Sequence, residues 1–435
     1  MPGPDGRPRA CVVTFGCPKN ETDSEGFAAA LDAAGYLLVD QPEEAQLLLL
    51  NTCAFIAPAV EESTEYLLEA MEWRSRVPGR KLVLAGCLPA RFADDGSGGL
   101  EEVDLVIGPG DTRGLLDFLN ASAATSMRLP VESRVYRYLK ISDGCSNRCA
   151  FCTIPRIRGP YRPVAASEVL ELASVLVGQG ASEVGLVGQD CGVWRGDGME
   201  LGGLLSRLAG AHRDVWWRGY YIHPAHLPPD LLPVMESTEN VMPYLDLPMQ
   251  HVSDGVLRRM GRGYGEAELH ELLRRVEESS RDIAVRATVI AGYPGETESD
   301  FQRLLDFLDA YPAIRNLVAF PYYSERGTVE SRRDHDRPGR SVVDARLREL
   351  SSVSEAAYLR WEERLFERPV RILVDAPGIG HTMYDAPGVD AACRIRGPHP
   401  SPGRFAEVEV ISAEGSDIFV SCTAQCQQGA VKPER

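Results

Sequence analysis

The chain predicts an α/β fold in three parts: an N-terminal α/β domain with a parallel sheet, a central partial (β/α)6 barrel and a small C-terminal antiparallel β-barrel. Three observations carry this. Apolar strand-like runs alternate with amphipathic helical segments over residues 9–122. A longer βα alternation occupies 135–364. From 367 to 430 the helical period is lost, and short β segments are separated by Gly, Pro and Asp. A chain of 435 residues has room for two or three domains with sizeable cores.

In the first part, Cys11–Phe15, Leu47–Leu50, Leu82–Ala85 and Leu105–Ile107 read as short buried strands, with helices over Glu25–Ala34 and Ala59–Trp73. Ala121–Arg134 is rich in small residues and aperiodic, which predicts a linker. The second part offers strands at Tyr136–Ile141, Glu183–Val187, Trp217–Ile222, Met242–Leu247, Ile283–Ile290 and Asn316–Ala319. Helices over Ala166–Val177, Gly265–Ser279 and Glu298–Asp309 lie between them, and Val342–Phe366 reads as a further helix. In the third part the β segments are Val370–Val374, Ala392–Ile395, Phe405–Ile411 and Asp417–Cys422, followed by a loose tail over Thr423–Arg435.

The composition is that of an ordinary globular protein, 44% hydrophobic and 25% charged. Lys and Arg number 46 against 63 Asp and Glu, a net charge of −17, which disfavours nucleic acid and favours a basic partner. The N-terminal residues are polar and rich in chain breakers, unlike a secretory signal. The most apolar stretch, Leu47–Ile56, is interrupted by Asn51 and Thr52 and is too short to span a bilayer. The protein is therefore expected in the cytoplasm, with no membrane contact. Eleven cysteines in such a chain point to metal or redox chemistry rather than disulfides.

Three of them dominate. Cys145, Cys149 and Cys152 form a C-x3-C-x2-C run just after the first strand of the central barrel, where a barrel places its chemistry. Three soft thiolates on one loop suit three corners of a 4Fe–4S cluster. With no fourth ligand nearby, one iron stays open to chelate and reduce a substrate or cofactor. A zinc knuckle is the competing reading, but no second Cys or His pair follows within the next thirty residues. Phe151 suits a group stacking on an adenine ring.

Cys17, Cys53 and Cys87 each follow a predicted strand, where parallel sheets bind ligands, and turn formers flank them. Two readings stay open from the pattern alone, a second cluster or three small core residues. Cys11, Cys191, Cys393, Cys422 and Cys426 lack such a setting and read as buried or incidental thiols. Weaker candidates lie at other barrel strand ends. Gly292-Tyr-Pro-Gly-Glu296 is a turn whose glycine lets a ligand approach the backbone, and whose helix start suits a carboxylate or ribose. Gln189-Asp190 and Gln250-His251 place polar groups on the same face, with loop capping as the plainer alternative.

These motifs together resemble the radical S-adenosylmethionine methylthiotransferases along almost the whole chain. The C-x3-C-x2-C loop marks the superfamily. Gly16-Cys-Pro-Lys-Asn20 with Asp23-Ser24-Glu25, Asn51-Thr52-Cys53 and Gly86-Cys87 are similar to that family's second cluster domain. The C-terminal module resembles a TRAM domain, a small barrel used in substrate recognition. Gly188-Gln-Asp190, Leu247-Pro-Met-Gln-His251 and Tyr384-Asp-Ala-Pro-Gly-Val-Asp390 resemble the branch that modifies an aspartate of ribosomal protein uS12. Gly388 and Val389 depart from the Glu-Ile usual in that last segment, and Cys191 stands where Thr or Ser is common.

The resemblance implies two 4Fe–4S clusters, on Cys17, Cys53 and Cys87 and on Cys145, Cys149 and Cys152, with S-adenosylmethionine used twice, as radical source and as methyl donor. Phe151, Gln189, Gly292 and Glu296 are the expected cofactor-binding residues. The implied substrate is uS12, a basic protein that a charge of −17 would attract. An electron donor such as flavodoxin or ferredoxin is expected, and no stable nucleic-acid binding. The alternatives are a tRNA adenosine methylthiotransferase, the same chemistry on another peptide, or a non-catalytic iron–sulfur or zinc protein that binds the ribosome. Residues 367–435 carry seven Lys and Arg against nine Asp and Glu, a net of −2, which does not favour the tRNA reading.

Overall fold

The computed structural model describes residues 6–93, 102–122, 134–333, 336–366 and 368–422. The N-terminal sheet is formed by β1 (Arg9–Thr14), β2 (Leu37–Leu38), β3 (Leu47–Thr52), β4 (Lys81–Gly86) and β5 (Leu105–Val106), all parallel, in the order β2-β1-β3-β4-β5. Helices α1 (Pro18–Ala33), α2 (Ala57–Arg76), α3 (Cys87–Phe92) and α4 (Thr112–Leu119) complete this domain. β3 is buried on both faces, so it reads as a continuous apolar run rather than an alternation. Leu47 and Leu49 pack with Phe27, Leu31 and Leu115, and Leu48 and Leu50 with Leu67, Ala70 and Trp73.

α1 begins at Pro18 rather than at the expected Glu25, with proline in the first turn where its missing N–H costs nothing. Asn20, Thr22, Asp23, Ser24 and Glu25 in the added turns are polar yet buried. Asn20, Asp23 and Glu25 face the central domain, where Arg158 meets Asn20 and Asp23, Lys140 meets Asp23 and Arg137 meets Glu25, while Ser24 bonds Thr14 and Asn51 within its own domain. An apolar period cannot reveal a helix face buried by charge.

The central domain carries β6 (Tyr136–Lys140), β7 (Ser142–Asp143), α5 (Ile154–Ile157), β8 (Arg162–Pro163), α6 (Ala166–Gly178), β9 (Glu183–Val187), α7 (Leu201–Ala211), β10 (Trp216–Gly219) and α8 (Leu231–Ser237). It continues with β11 (Tyr244–Gln250), α9 (Asp254–Met260), α10 (Glu266–Glu277), β12 (Ala284–Ala291), α11 (Glu298–Ala310), β13 (Ile314–Pro321) and α12 (Arg340–Phe366). Two parallel three-stranded sheets, β10-β9-β6 and β11-β12-β13, supply the six strands. They meet where Met242 N donates to the Trp217 carbonyl at 2.8 Å and Ile222 N to the Asp246 carbonyl at 2.9 Å. The result is the expected partial barrel. The antiparallel pair β7–β8 closes the base of the cysteine loop.

α12 joins the last two domains. Leu350 belongs to the barrel's outer core, while Trp361 and Leu365 belong to the core of the C-terminal module. That module is a closed barrel of β14 (Val370–Ala376), β15 (Ile379–Thr382), β16 (Cys393–Arg396), β17 (Phe405–Glu414) and β18 (Asp417–Cys422). Its pairings are antiparallel except β16 with β18, which is parallel. β15, Ile-Gly-His-Thr, is a fifth strand that the sequence pattern does not reveal. The expected linker over 121–134 lies largely, and the expected tail over 423–435 wholly, outside the described residues.

The module docks through buried charge near the amino ends of the barrel strands. His381 Nε2 lies 2.8 Å from Glu183, which also pairs with Arg218, and His381 Nδ1 lies 2.8 Å from Asp375. Arg315 donates twice to Asp385, and Asp390 accepts from Tyr244 and Arg286. The 384–390 segment therefore fastens module to barrel. The side chains of its acids Asp385 and Asp390 are covered and engaged inside the protein rather than offered to a substrate.

Candidate metal centres

The first thiol triad sits on neighbouring strands. Cys17 precedes α1 directly after β1, Cys53 follows β3, and Cys87 opens α3 after β4. Because β1, β3 and β4 are adjacent in the sheet, their carboxyl ends lie side by side. Polar side chains stitch the loops together. Asn20 Nδ2 donates to the carbonyls of Phe15 (2.8 Å) and Thr52 (2.9 Å), and Asn51 Nδ2 donates to the Asn20 carbonyl (2.8 Å). Ser63 holds the Cys53 backbone on both sides, accepting from its N–H and donating to its carbonyl. Gly86 stands at φ +94°, and a Cβ there would lie 2.5 Å from Asn51 Oδ1 and 2.6 Å from the Thr52 carbonyl. Only glycine turns the chain sharply enough to present Cys87.

The second triad occupies one loop. Cys145 N donates to the Gly159 carbonyl (3.1 Å), Ala150 N to the Met260 carbonyl (2.8 Å), and Glu330 N to the Ala150 carbonyl (2.8 Å), so three distant segments fix its path. Gly144, at φ +71°, has the Pro160 carbonyl oxygen 2.1 Å from where a Cβ would stand. Asp190 anchors the loop from β9, accepting from Asn147 Nδ2 at 2.8 Å and lying 2.6 Å from His226 Nδ1.

Each triad has a buried arginine. Arg262 Nη1 lies 3.3 Å from Cys149 Sγ, and its other nitrogens bond Tyr264 Oη and the Pro248 carbonyl. Arg158 Nη2 reaches Asn20 Oδ1 (2.6 Å), Asp23 (2.9 Å) and Cys87 Sγ (3.9 Å). Arg158 belongs to the central domain, six residues beyond Cys152, yet it sits at the N-terminal triad. Lys19 adds a second link, its Nζ 3.4 Å from the ring centre of Tyr221 beyond β10. The two triads thus share one domain interface. None of these partners was evident from the sequence, because each lies far along the chain from the group it serves.

Burial pushes the Cys87 thiol up to about 12, with Arg158 pulling the other way, and burial pushes the Cys152 thiol to about 12. Cys53 and Cys145 are raised by burial as well. These thiols hold their protons near neutral pH until a cation displaces them. Among the described residues, no three His, Cys, Asp or Glu side chains stand close enough to share a single metal ion. A cubane cluster gives each thiolate its own iron and so asks for a wider triangle. Three thiols beside a buried guanidinium form a donor set that fits such a cluster.

Among the expected cofactor residues, Phe151 packs with Val256, Met260 and Tyr293, its ring 6.3 Å from that of Tyr293. Gln189 Nε2 donates to Asp143 at 3.3 Å, while its Oε1 is buried with no partner. Ser142 Oγ is likewise buried and unmatched, and His251 Nε2 makes no hydrogen bond, with Glu296 Oε1 3.7 Å away. Buried polar atoms are ordinarily paired. Three that are not, all beyond the carboxyl ends of barrel strands, fit a polar cofactor. Gly292 and Glu296 are engaged within the protein. The space a Cβ at Gly292 would fill is held by Val343 Cγ2, 2.5 Å away, so this glycine admits α12. Glu296 is buried, accepts from the N–H groups of Gly292 and Tyr293, and pairs with Arg346 at 3.2 Å. It braces its own turn.

Cys11, Cys191 and Cys393 are buried core thiols and Cys422 is part-buried at the end of β18; Cys426 lies outside the described residues. Among the described residues no helix is long and apolar enough to cross a membrane.

Two family descriptions match the chain: uncharacterized protein family UPF0004 over residues 9–108, and the radical SAM superfamily over residues 139–308. A protein of Porphyromonas gingivalis named ribosomal protein uS12 methylthiotransferase RimO is 36% identical over 431 residues, covering 95% of this chain and 98% of its own. Proteins of the same name from Moorella thermoacetica and Carboxydothermus hydrogenoformans are 36% and 34% identical, covering 91% and 88% of this chain and 94% and 92% of their own. Among solved structures, the radical S-adenosylmethionine methyltransferase TsrM of Kitasatospora setae, with cobalamin and a 4Fe–4S cluster, aligns with a TM-score of 0.53 at 14% identity, over 72% of this chain and 75% of that one. The cobalamin-dependent S-adenosylmethionine radical enzyme OxsB aligns at 0.52 and 13%, over 80% and 56%. At such identities these two speak for the fold alone.

Proposed function

This chain belongs to the ribosomal protein uS12 methylthiotransferase RimO family, and on that premise we propose that it attaches a methylthio group to the β-carbon of an aspartate of uS12. It is a radical S-adenosylmethionine enzyme of a family that uses S-adenosylmethionine and 4Fe–4S clusters. In this reading the domains run over 9–122, 135–364 and 367–430. Cys17, Cys53 and Cys87 hold one cluster, and Cys145, Cys149 and Cys152 the other, each leaving a fourth iron position free. When bound, these groups supply the one-electron chemistry and the sulfur that no side chain provides.

The protein's own residues bind and orient. The six thiols would release their protons to solvent on binding the metal as thiolates. Arg158 and Arg262 hold positive charge against the thiolates and fix Cys87 and Cys149 in place. Phe151 offers a flat apolar face to an adenine ring, and Gln189 Oε1, Ser142 Oγ and His251 Nε2 offer polar atoms beside it. Gly292 and Glu296 shape the turn behind that wall. A flavodoxin- or ferredoxin-type donor delivers electrons, the protein works in the cytoplasm, and a surface of net charge −17 favours a basic protein substrate over nucleic acid.

The observation that best supports this reading is Arg158, a central-domain residue inserted at the N-terminal triad, because it ties both candidate clusters to one interface. The test is anaerobic reconstitution with iron and sulfide, followed by S-adenosylmethionine, a chemical reductant and purified uS12. About eight irons per chain and a methylthio-aspartate found by mass spectrometry are expected. Cleavage of S-adenosylmethionine with uS12 left unmodified would refute the substrate assignment.

A further inference from the structure

We propose that Lys19, seated over the ring of Tyr221 where the first two domains meet, binds the side-chain carboxylate of the substrate aspartate, an inference that rests on the reading that the chain modifies an aspartate of a basic protein. Lys19 lies in the first turn of α1, two residues after Cys17, and its Nζ stands 3.4 Å from the centre of the Tyr221 ring. Among the described residues no carboxylate pairs with it. Other cations of this interface are matched: Lys140 and Arg158 share Asp23 and Asp143, and Arg286 holds Asp246 and Asp390. A ring face attracts an ammonium without accepting its hydrogen bonds in the way an anion does, and lysine has three N–H donors and no acceptor. Lys19 and Tyr221 are both half-buried, so the ammonium is reachable from outside.

The ring beneath Lys19 is held at a cost. Tyr221 lies two residues beyond β10, at the carboxyl end where a barrel places its chemistry. Its φ is +54°, left-handed backbone that a residue with a Cβ disfavours. Four non-glycine residues among those described share this geometry, and two of them, Asn120 and Asp197, are of the kinds that tolerate it. Tyr221 and Gln250 are not, and they stand at the ends of the neighbouring strands β10 and β11. Tyr221 is fixed from both sides: its N–H donates to Asp246 Oδ2 at 3.0 Å, and its carbonyl accepts from Cys191 N at 3.0 Å. Backbone strain that neighbours enforce collects at functional sites. The charge of Lys19 pulls down the pKa of Cys53 in the sheet triad and of Asp246 in the barrel, against the burial that raises both, so it is felt on both sides of the interface. An aspartate carboxylate is bonded directly to the β-carbon, and a cation that holds it also holds the C–H that reacts. In a basic substrate, a lysine without a counter-ion turns away Lys and Arg side chains and accepts the acid, so selection works by rejection as well as attraction.

The test measures binding to the full, anaerobically reconstituted chain by fluorescence anisotropy, using a labelled uS12 peptide that carries either the target Asp or Asn in its place. The parent should prefer the Asp peptide by about tenfold or more, the scale of one hydrogen bond to a charged group. K19M should lose that preference by weakening the Asp peptide alone, and K19R should keep most of it. Y221L, which removes the ring, should lower the preference about threefold. A parent with no preference would overturn the proposal. So would a K19M that weakens both peptides alike, which would make Lys19 a counter-charge to the nearby cluster. Lost affinity for S-adenosylmethionine in K19M, with the peptide preference intact, would overturn it too, by assigning the lysine to that cofactor's carboxylate. Iron content is measured on each variant, and should K19M lose iron, K19Q decides. N-Acetyl-aspartate methylamide, observed by saturation-transfer NMR, tests the site without uS12. If the parent binds neither peptide yet holds this amide through Lys19, the uS12 reading falls and the carboxylate site stands. If neither peptide nor amide distinguishes the parent from K19M, the proposal falls.

Discussion

Cys145, Cys149 and Cys152 come from one short loop, whereas Cys17, Cys53 and Cys87 are gathered from the ends of three strands. The loop triad is set by local geometry: β7 and β8 pinch its base, Gly144 turns the chain, and Arg262 is supplied from the same barrel. The sheet triad is set by topology. It exists because β1, β3 and β4 are neighbours, and it borrows its arginine from the next domain. Two sites with the same donors thus depend on different scales of structure. One answers to its own loop, the other to the docking of two domains.

Three experiments press on that contrast. The largest effect should come from the thiols themselves. C145A/C149A/C152A should reduce 5′-deoxyadenosine formation to background, while C17A/C53A/C87A should leave it and abolish only the methylthio product. The contrast fails if the two triple variants behave alike in chromatographic assay of both products. Next come the arginines. R158M removes one of the two cationic partners of buried Asp23, with Lys140 remaining, and should cost up to about 3–5 kcal/mol in urea unfolding, the upper scale of breaking a buried ion pair. It should also lose the iron signal of the sheet triad in electron paramagnetic resonance. R262M leaves the Pro248 carbonyl and Cys149 without a donor and should cost only about 1–3 kcal/mol, with the loop triad alone disturbed. Equal losses at both triads in either variant would show that the sites are not separately supported.

The smallest effect should appear at the third domain and spare both triads. Burial alone would lower the His381 pKa, but Glu183 and Asp375 hold it at about 9, above its ordinary 6.5. Its contribution to docking is therefore complete below pH 6.5, declines as pH rises and is gone above about 9. Burial would raise Glu183, but Arg218 and His381 hold it at about 2, so its share is present above 4.5 and lost as pH falls through about 2. Once corrected for the base-catalysed intrinsic rate, hydrogen exchange in β14–β18 should quicken between pH 6.5 and 9, while exchange in β1, β3 and β4 changes less. Uniform quickening would place the weak point elsewhere.

Much of this architecture could be read from residue order, and the failures share a cause. β3 and β9 announced themselves because apolar runs buried on both faces leave an unbroken signature. β15 did not, since its His381 and Thr382 are buried by hydrogen bonds to Glu183, Asp375 and Asp385 rather than by apolar contact. The first turns of α1 were lost for the same reason: Asp23 and Glu25 look solvent-facing until Arg137, Lys140 and Arg158 are brought to them. Cys145, Cys149 and Cys152 were readable from spacing, whereas Arg158 and Arg262 were not, because a charge that serves a distant partner has no local pattern. At the Gly292 turn the packing role of the glycine, making room for Val343, likewise has no local pattern.

The insertion of Arg158 also bears on the order in which the protein is made. The N-terminal domain leaves the ribosome first, and domains tend to fold in that order. Its Asp23 and Glu25 then face outward with no counter-charge, since Arg137, Lys140 and Arg158 have yet to be synthesised. The sheet that gathers Cys17, Cys53 and Cys87 is born before the residue that completes their surroundings. The surroundings of that triad are thus complete only after translation past residue 158, whereas the loop triad comes off the ribosome almost together with Arg158.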